Sequence, residues 1–447
     1  MKKQKIWPVL VASAVLLLAG LCYLSAVFVP KQVSNIATSK LWDGFYNEPV
    51  NSIDVVFVGP STVYYGVSPT EIYEEYGFTS YALASPNQRM VLSELYIREA
   101  FKTQSPKVVV VDQTLFFDEN IKGYEPFYRT ALDHMKFSWN KLKTAEYLVS
   151  QDDRQSLISY VFPLFRYHSR WSDGLSQKDF NIGADEDYPN KGFSSGPHVQ
   201  DYGDPLHMSP TDEIDDAFDA NALEHLRNII EICEENGAEF LLMRMPVMGQ
   251  YTMARHNGIE QLAEETGIAF LDMNTEENWN AIGMDARRDF HSLPHLNYCG
   301  ADKVASFLGQ YISETFCLPD HRGDAAFSAW DKAVIDTRVS TMKNTQKTVN
   351  SSTGIAGATE TESGIRVYWA LPGFCEGVNL SYKDSTGETV TLLQSSTAEE
   401  AIFTDLPSGG RFQLEYIICD TDRTAVISFR TVAPSTTDAA EKEDNGE

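Results

Sequence analysis

Between Asp54 and Tyr311 the chain alternates short, wholly apolar runs with longer amphipathic stretches. Uninterrupted apolar runs of this length are typical of parallel strands that are buried on both faces. The strand candidates are Val55–Val58, Ser80–Leu83, Val108–Val111, Phe240–Met243 and Ala269–Leu271. The helix candidates are Pro69–Tyr76, Arg89–Lys102, Ile214–Glu235, Met253–Thr266 and Ala301–Phe316. The alternation predicts an α/β fold, a three-layer doubly wound parallel sheet with helices on both faces.

The segment from about residue 115 to residue 209 interrupts this alternation with aromatic, polar and glycine-rich pieces. We interpret it as an insertion at the carboxyl end of the third strand, the sheet edge that carries the ligand crevice in such folds. Its stretch FPLFRYHSRW, residues 162–171, contains Arg166, His168, Arg170 and Trp171. Aromatic faces beside planar cationic donors suit sugars or anionic polymers. The alternative is that these side chains form a small satellite core of the insertion.

The first 31 residues contain an uncharged run from Ile6 to Val29. This run is long enough to cross the ~30 Å hydrocarbon layer of a bilayer. The apolar region of a cleaved signal peptide is usually only about 7–15 residues long. Residues 1–31 are therefore predicted to be a transmembrane anchor. The lysines at positions 2, 3 and 5 favour a cytoplasmic amino terminus, which places the rest of the chain outside a cell membrane that it crosses once.

The α/β domain is predicted to occupy residues 32–318, and the composition changes after it. Residues 319–360 are small and polar and predict a linker. Residues 361–434 alternate apolar and polar positions between turn signals, which predicts a small β-sandwich. Trp369 and the Leu406 to Phe412 pair resemble core landmarks of a fibronectin type III module. The acidic tail from Ser435 is predicted to be disordered.

The net charge argues against a nucleic-acid-binding protein, and the cysteine spacing argues against a zinc-binding or disulfide-rich protein. A formal net charge of −27 is incompatible with nucleic-acid binding driven by release of counterions from phosphates. Of the six cysteines, Cys22 lies in the apolar run and the other five show no CxxC spacing. Neither a zinc site nor a disulfide framework is indicated, and a Cys375–Cys419 pair stays open.

The stretch VFVGPSTVYYG, residues 56–66, places Ser61 just past the end of a strand. Ligands bind at that edge of a parallel sheet, and a helix or turn that begins there directs backbone N–H groups towards them. A serine nucleophile needs a base. The candidate is His295, in a loop before a helix that Asn297 can cap. The alternatives are a serine in an ordinary turn and a histidine in a surface loop.

Four segments together resemble the SGNH (GDSL-like) hydrolases: the stretch that begins VFVGPSTVYYG, then PKVVVVD, GIAFLDMN and DFHSLPHLNYCGADK. The similarity is to the membrane-anchored surface branch, related to the D-alanyl transfer protein of teichoic acid and to alginate-type O-acetyltransferases. The resemblance implies Ser61 as nucleophile and His295 as base. It also implies an acid three residues before the histidine, where this chain has Ser292. Asp289 is the nearest carboxylate and is expected to orient the imidazole, unless a backbone carbonyl does so.

The resemblance places further oxyanion donors in the loop after the second strand, where Asn87 and Gln88 carry the side-chain amides. The backbone N–H of Ser61 is expected to act with them, and capping of the next helix is the alternative role for both amides. Asp112 and Arg244 end the third and fourth strands and are candidates for substrate binding, or for a salt bridge with each other. A metal site at Asp289, His291 and His295 is not predicted, because a second carboxylate cluster is missing.

The expected function is that of an extracytoplasmic serine esterase or O-acyltransferase. Its substrate would be ester-linked acyl groups of a cell-surface polysaccharide or a teichoic-acid-like polymer. No cofactor is expected, and a membrane acyltransferase is a further candidate partner. Two alternatives are a catalytically inactive relative that binds cell-wall glycan or an acyltransferase, and a surface adhesion protein that works through its β-sandwich.

Overall fold

The computed structural model describes residues 6–31, 38–118, 122–182, 188–203, 208–249, 251–351, 354–406 and 409–432. The three lysines near the amino terminus and the acidic tail lie outside these ranges. The chain divides into two compact units. The first unit comprises Met1–Ser61, Leu83–Gly192 and Ala217–Leu242, and the second comprises Thr62–Ala82, Phe193–Asp216 and Met243–Glu447.

The central element is a five-stranded parallel sheet in the order β2-β1-β3-β4-β5. Its strands are β1 (Val55–Gly59), β2 (Ser80–Ala84), β3 (Val108–Asp112), β4 (Glu239–Arg244) and β5 (Ala269–Asp272). Every residue of β1, β2 and β3 is buried, which explains their uninterrupted apolar sequences. The strand order reverses at β1, with β2 on one side and β3 on the other. Ligand crevices form at such reversals, outside the carboxyl ends of the strands.

Of the five predicted helices of the α/β region, four begin and end within three residues of the predicted positions, whereas the one predicted to begin at Ile214 begins at Ala220. Apart from the anchor helix and the helix or turn at Ser61, the other helices were not predicted. In chain order the helices are α1 (Ile6–Phe28), α2 (Thr38–Asn47), α3 (Ser61–Gly66), α4 (Pro69–Tyr76), α5 (Met90–Ala100), α6 (Glu125–Leu132), α7 (Trp139–Gln151), α8 (Leu157–Val161), α9 (Leu164–Tyr167), α10 (Arg170–Asp173), α11 (Ala220–Asn236), α12 (Met253–Thr266), α13 (Glu276–Ile282) and α14 (Tyr298–Thr315). The insertion thus consists of the short helices α6 to α10, followed by a 3₁₀ helix at Gln177–Phe180.

Within the first unit, a partly buried carboxylate joins α5 to α11. Glu94 accepts hydrogen bonds from Nδ1 of His225 at 2.8 Å and from Nδ2 of Asn228 at 2.9 Å, and Arg98 donates to its other oxygen at 2.8 Å. Burial disfavours the charged form, but these three donors outweigh it and lower the pKa of Glu94 to about 2. The ionised carboxylate therefore stabilises the contact between the two helices.

The predicted linker at residues 319–360 is wrong, because most of it is ordered. It contains the helix α15 (Ser328–Asn344), which packs on α4 and on the sandwich strand β14 (Thr424–Phe429). Trp330, Val334 and Met342 recur at helical spacing and are at most 3% exposed. The small and polar residues between them concealed this pattern.

A buried ion pair fixes α15 to α4 within the second unit. The guanidinium of Arg338 donates to both carboxylate oxygens of Glu71, from Nε at 3.1 and 3.0 Å and from an Nη atom at 2.7 Å. Both side chains are 5% exposed. Such an arrangement compensates the desolvation of two charges only when both partners are present.

The predicted β-sandwich is present and consists of two four-stranded sheets, in the orders β11-β10-β13-β14 and β12-β9-β8-β15. Besides β14, its strands are β8 (Ala356–Thr361), β9 (Gly364–Trp369), β10 (Cys375–Lys383), β11 (Thr389–Ser396), β12 (Glu400–Phe403), β13 (Arg411–Ile418) and β15 (Thr431–Val432). Trp369 and Phe412 are both buried in its core. The hydroxyl of Tyr382 accepts a hydrogen bond from the N–H of Gly410 at 2.9 Å, and so fixes the chain just before β13. All six cysteines are free thiols, so the Cys375–Cys419 pair does not form.

Candidate active site

Ser61 is the first residue of α3, and only Pro60 separates it from β1. The next three residues of α3 are buried, whereas Ser61 is partly exposed. The apolar end of β1 and the buried remainder of α3 therefore fix the backbone on both sides of this serine. The structure shows that a helix begins at Ser61, at the sheet edge where ligands bind.

His295 lies on a small hairpin formed by β6 (Phe290–Ser292) and β7 (His295–Leu296). The hairpin leads directly into α14, and Asn297 caps that helix as predicted. Its side-chain oxygen accepts from the N–H groups of Cys299 and Gly300 at 3.0 and 3.1 Å. Its amide nitrogen donates to the carbonyl of Arg288 at 2.5 Å. These three bonds hold the backbone of the histidine loop in place.

The imidazole of His295 bonds through Nδ1 to the hydroxyl of Ser292 at 2.9 Å. The two residues face each other in the pairing of β6 with β7. The position three residues before the histidine thus contacts the ring nitrogen, as the resemblance implies, but it supplies a hydroxyl instead of a carboxylate. A hydroxyl that accepts from Nδ1–H leaves the lone pair on Nε2.

Asp289 does not take the role expected of it. Its carboxylate accepts a hydrogen bond from the N–H of Asp285 at 2.7 Å and pairs with Nζ of Lys303 at 2.7 Å. The side chain is buried, and burial raises the pKa of Asp289 against the opposing effect of Lys303. Asp289 therefore fixes the start of the hairpin to α14, while Ser292 bonds to His295.

Tyr65 and His291 are part of this site and were missed by the sequence interpretation. The ring of Tyr65 stacks on His295 with centroids 4.4 Å apart and an interplanar angle of 20°, and His291 lies 5.2 Å from the same tyrosine. Ser61 and Tyr65 are four residues apart, so they share one face of α3. That spacing was a sequence signal for Tyr65. The sequence signal for His291 was weaker: it follows Asp289 by two residues.

The environment keeps both histidines neutral at pH 7. Burial, with a smaller contribution from His291, lowers the pKa of His295 to about 4. Burial and the nearby His198 lower the pKa of His291 to about 4 as well. A neutral imidazole can accept a proton. Since Nδ1 of His295 bonds to a hydroxyl, the imidazolium formed on accepting that proton gains little electrostatic stabilisation.

The two amides of the loop after β2 have different environments. The oxygen of Gln88 accepts from the hydroxyl of Ser85 at 2.8 Å, and its nitrogen donates to the carbonyl of Leu83 and to the hydroxyl of Ser93 at 3.4 and 3.3 Å. Gln88 is 2% exposed, so the amide holds the loop together and is not an oxyanion donor.

Asn87 is partly exposed and adopts a left-handed backbone conformation with φ of 53°. Its side-chain amide makes no hydrogen bond to any residue in the described ranges. Asn tolerates this conformation better than most residues. Of the two amides, that of Asn87 is therefore the candidate for binding an oxyanion.

Asp112 and Arg244 are both buried at the ends of their strands. Asp112 accepts hydrogen bonds from the backbone N–H and the hydroxyl of Thr114, which closes the turn after β3. The guanidinium of Arg244 lies over the ring of Tyr251 at 4.9 Å. A substrate-binding role stays a prediction for both residues.

A pocket of about 500 Å³ lies beside the loop that follows β4, and the tyrosine that stacks with Arg244 lines it. Val247, Met253, Tyr251 and Trp279 give it a largely apolar wall. The N–H of Met248 donates to the carbonyl of Leu293 at 2.8 Å, so the same loop is bonded to the hairpin of His295. This pocket offers a space in which an acyl chain or a sugar ring could lie close to that hairpin.

Two of the four residues of FPLFRYHSRW that were predicted to bind a polymer, Arg170 and Trp171, contact the end of α1. Arg170 donates to the carbonyl of Phe28 at 2.7 Å, and Trp171 stacks on the ring of Phe28 with centroids 6.5 Å apart. Arg166 forms an ion pair within the insertion, and His168 bonds to the backbone one turn earlier. These contacts give the predicted polymer-binding role no support and connect the segment to α1 instead.

In the part of the chain that the structure describes, no cluster of three or more His, Cys, Asp or Glu side chains is arranged to hold a metal ion. Asp289, His291 and His295 are not grouped in that way.

No protein-family model and no curated protein matches this chain. Among solved structures, one named as an acylhydrolase from Bacteroides fragilis is similar at 11% identity and a TM-score of 0.31, covering 64% of this chain and 99% of its own. A GDSL-like lipase from Bacteroides thetaiotaomicron is similar at 11% identity and a TM-score of 0.27, covering 59% and 88%. An Fn3-like protein from Clostridium thermocellum is similar at 14% identity and a TM-score of 0.16, covering 18% and 88%. These TM-scores lie below 0.5, so neither the family nor the activity of the chain follows from them.

Proposed function

We propose that this chain is an SGNH-type serine esterase or O-acyltransferase in which Ser61 is the nucleophile and His295 the general base. The observation that carries the proposal is the support of the His295 ring. Ser292 bonds to Nδ1 of His295. The imidazole ring stacks on Tyr65, which lies on the same side of α3 as Ser61. A serine nucleophile requires a base that is held in one orientation with a lone pair on Nε2, and the Ser292 hydroxyl permits this when it accepts from Nδ1–H.

In the proposed reaction, Oγ of Ser61 attacks the ester carbonyl while Nε2 of His295 takes the hydroxyl proton. The amide of Asn87 and the backbone N–H of Ser61 stabilise the negative oxygen of the tetrahedral intermediate. Nε2 then returns the proton to the departing alcohol, which leaves an acyl group on Ser61. Attack by water on this acyl-enzyme gives hydrolysis, and attack by a hydroxyl of a second polymer gives transfer.

Ser292 orients His295 but cannot stabilise the imidazolium as a carboxylate would. In serine hydrolases the acid sets the histidine tautomer and stabilises the imidazolium, and a hydroxyl supplies no charge for the second of these roles. The proposed enzyme is therefore slow on small esters. Binding of a large substrate is expected to supply part of the missing stabilisation of the transition state.

For the substrate, we propose acyl esters on a polymer at the cell surface. The helix Trp7–Phe28 is long and apolar enough to cross a membrane. As an anchor it would hold the body outside the cell, beside cell-surface polysaccharide or a teichoic-acid-like polymer and within reach of a membrane acyltransferase. The pocket of about 500 Å³ beside the His295 hairpin has room for an acyl group together with part of a sugar unit.

Labelling of the full-length protein in detergent with a fluorophosphonate probe tests the nucleophile. Wild-type protein should be labelled, and Ser61→Ala should abolish both labelling and hydrolysis of small acetyl esters. Ser313→Ala removes an exposed hydroxyl from α14 and is the matched control, which should behave as wild type. Equal labelling of Ser61→Ala, or no labelling of a folded wild-type protein, would refute the proposed nucleophile.

The missing carboxylate favours one alternative, a catalytically inactive protein that binds cell-wall glycan. Nδ1 of His295 bonds to the hydroxyl of Ser292, and the carboxylate of Asp289 pairs with Lys303. Such a protein would bind acylated polymer without turning it over, and Ser61→Ala would leave that binding unchanged.

A further inference from the structure

The carboxyl-terminal end of α1 is part of the folded body, while the rest of the helix is not. From Trp7 to Leu24 nearly all side chains are exposed, and burial begins at Ser25 and continues through Val29. The exposed stretch has a length of about 27 Å at the helical rise of 1.5 Å per residue. This length matches the ~30 Å hydrocarbon core of a bilayer. The body therefore begins where the helix would leave the membrane.

Specific contacts from the insertion bury this end of α1. The helix α9 packs on α1, and the N–H of Leu164 donates to the hydroxyl of Ser25 at 3.4 Å. Arg170 and Trp171 bond to and stack on Phe28. Val27 and Phe28 are 0% and 4% exposed. A signal peptide is removed from the mature protein, so its residues are not expected to fill the core. These contacts favour a retained anchor.

Large apolar side chains stay exposed next to this junction. Phe165 on α9 is 51% exposed, Trp171 on α10 is 76% exposed, and Phe180 on the 3₁₀ helix, which also packs on α1, is 51% exposed. Ile182, two residues later, is 44% exposed. Clustered exposed apolar groups mark an interaction surface, and aromatic side chains are enriched at the level of the lipid headgroups.

We propose that α9, α10 and the 3₁₀ helix Gln177–Phe180 form a membrane-seated collar around the exit of α1. Phe165, Trp171 and Phe180 insert between the headgroups of the outer leaflet. The occupant of this surface is the bilayer, because the surface is continuous with a helix that spans it. The collar fixes the tilt of the first unit on the membrane, which a single flexible anchor does not. The proposal rests on the proposed anchor and is independent of the proposed esterase chemistry.

Depth-dependent fluorescence quenching tests the collar on the full-length protein in phosphatidylcholine vesicles. The vesicles contain lipids that are brominated either near the acyl carbonyl or near the methyl end, and unbrominated vesicles are the reference. The signal of Trp171 is the difference between wild type and Trp171→Phe. We expect the shallow bromine to quench this signal at least twofold more than the deep one. Phe165→Trp in the Trp171→Phe background should restore a shallow-quenched signal.

Mass spectrometry of the membrane-inserted protein separates the possible failures. An intact α1 with no bromine quenching of Trp171 overturns the collar and leaves the anchor in place. A chain that has lost α1 overturns the anchor, and the collar with it. Either outcome leaves the fluorophosphonate result at Ser61 unchanged, so failure of the collar and failure of the esterase can be told apart.

Discussion

Replacing Ser292 by Asp should raise esterase activity and move its pH dependence. The hydroxyl of Ser292 is 2.9 Å from Nδ1 of His295, so a carboxylate at this position reaches the same nitrogen with a small shift of the hairpin. A carboxylate there raises the pKa of the imidazole and stabilises the imidazolium that forms in the transition state.

The size of the expected gain in kcat/KM follows from the pKa of His295 in its present environment. The pKa of His295 is about 4, whereas an unperturbed histidine has a pKa of about 6.5. At about 1.4 kcal/mol for each tenfold change in the ionisation equilibrium, restoring the ordinary value is worth at most about 3 kcal/mol. Partial access of solvent to the ring reduces this to about 2 kcal/mol. The expected gain in kcat/KM is therefore about 30-fold.

The assay is the hydrolysis of a small acetyl ester across the pH range from 4 to 9. A base acts only while it is neutral. The acid limb of the wild-type profile should therefore lie near the pKa of about 4, and that of Ser292→Asp should move up towards about 6.5. Ser292→Thr keeps a hydroxyl at this position and adds no charge, so it should leave both the rate and the pH profile near those of wild type. An unchanged rate and acid limb in a folded Ser292→Asp variant would refute the assignment of His295 as base.

Three further predictions concern stability, measured by chemical denaturation. Glu94→Gln should lower the free energy of unfolding by about 3 kcal/mol at pH 7. The lowered pKa of Glu94 stabilises the fold above about pH 4.5, and this contribution is lost as the pH falls through 2. A destabilisation that persists at pH 2 would contradict this link between the pKa and stability. Glu71→Leu should cost about 3–5 kcal/mol, because it leaves the buried charge of Arg338 with only the longer ion pair to Glu74 at 3.9 Å. The double variant with Arg338→Leu should cost less, and a double variant less stable than Glu71→Leu would contradict this account. Gly309→Ala should lower stability by about 1–3 kcal/mol, since its Cβ would clash with the ring of Tyr76 on α4, although Ala is the better helix former by about 1 kcal/mol; a stabilised variant would show that the ring can move away.

The strands and several helices of the α/β region could be predicted because local sequence determines them. The run VVVV of β3 has no polar residue to place in solvent, and Pro69–Tyr76 begins with a proline and ends at Gly77 in a left-handed conformation. At Ser61 the sequence left a helix or a turn open, and the structure has a helix. The helix α15 was missed because its buried residues are separated by polar ones, and only the contact with α4 shows which face is apolar.

The assignment of Ser61 and His295 as a catalytic pair stays a prediction, whereas the contacts around His295 could not be predicted from the sequence. The order of segments along the chain pointed to Ser61 and His295. The choice between Ser292 and Asp289 depends on the hairpin pairing, which turns Ser292 towards the imidazole and Asp289 towards Lys303. The role of Gln88 depends on which loop atoms its amide reaches. Such choices are made by tertiary contacts, and sequence spacing does not encode them.

The packing of α15 has a consequence for the motion of the second unit. Because α15 contacts both α4 and β14, the sandwich and this part of the α/β region are expected to tumble together. NMR relaxation should then report one rotational correlation time for the sandwich and α4, as expected for a single rigid body. Any ligand bound to the sandwich would then keep a fixed orientation relative to α4.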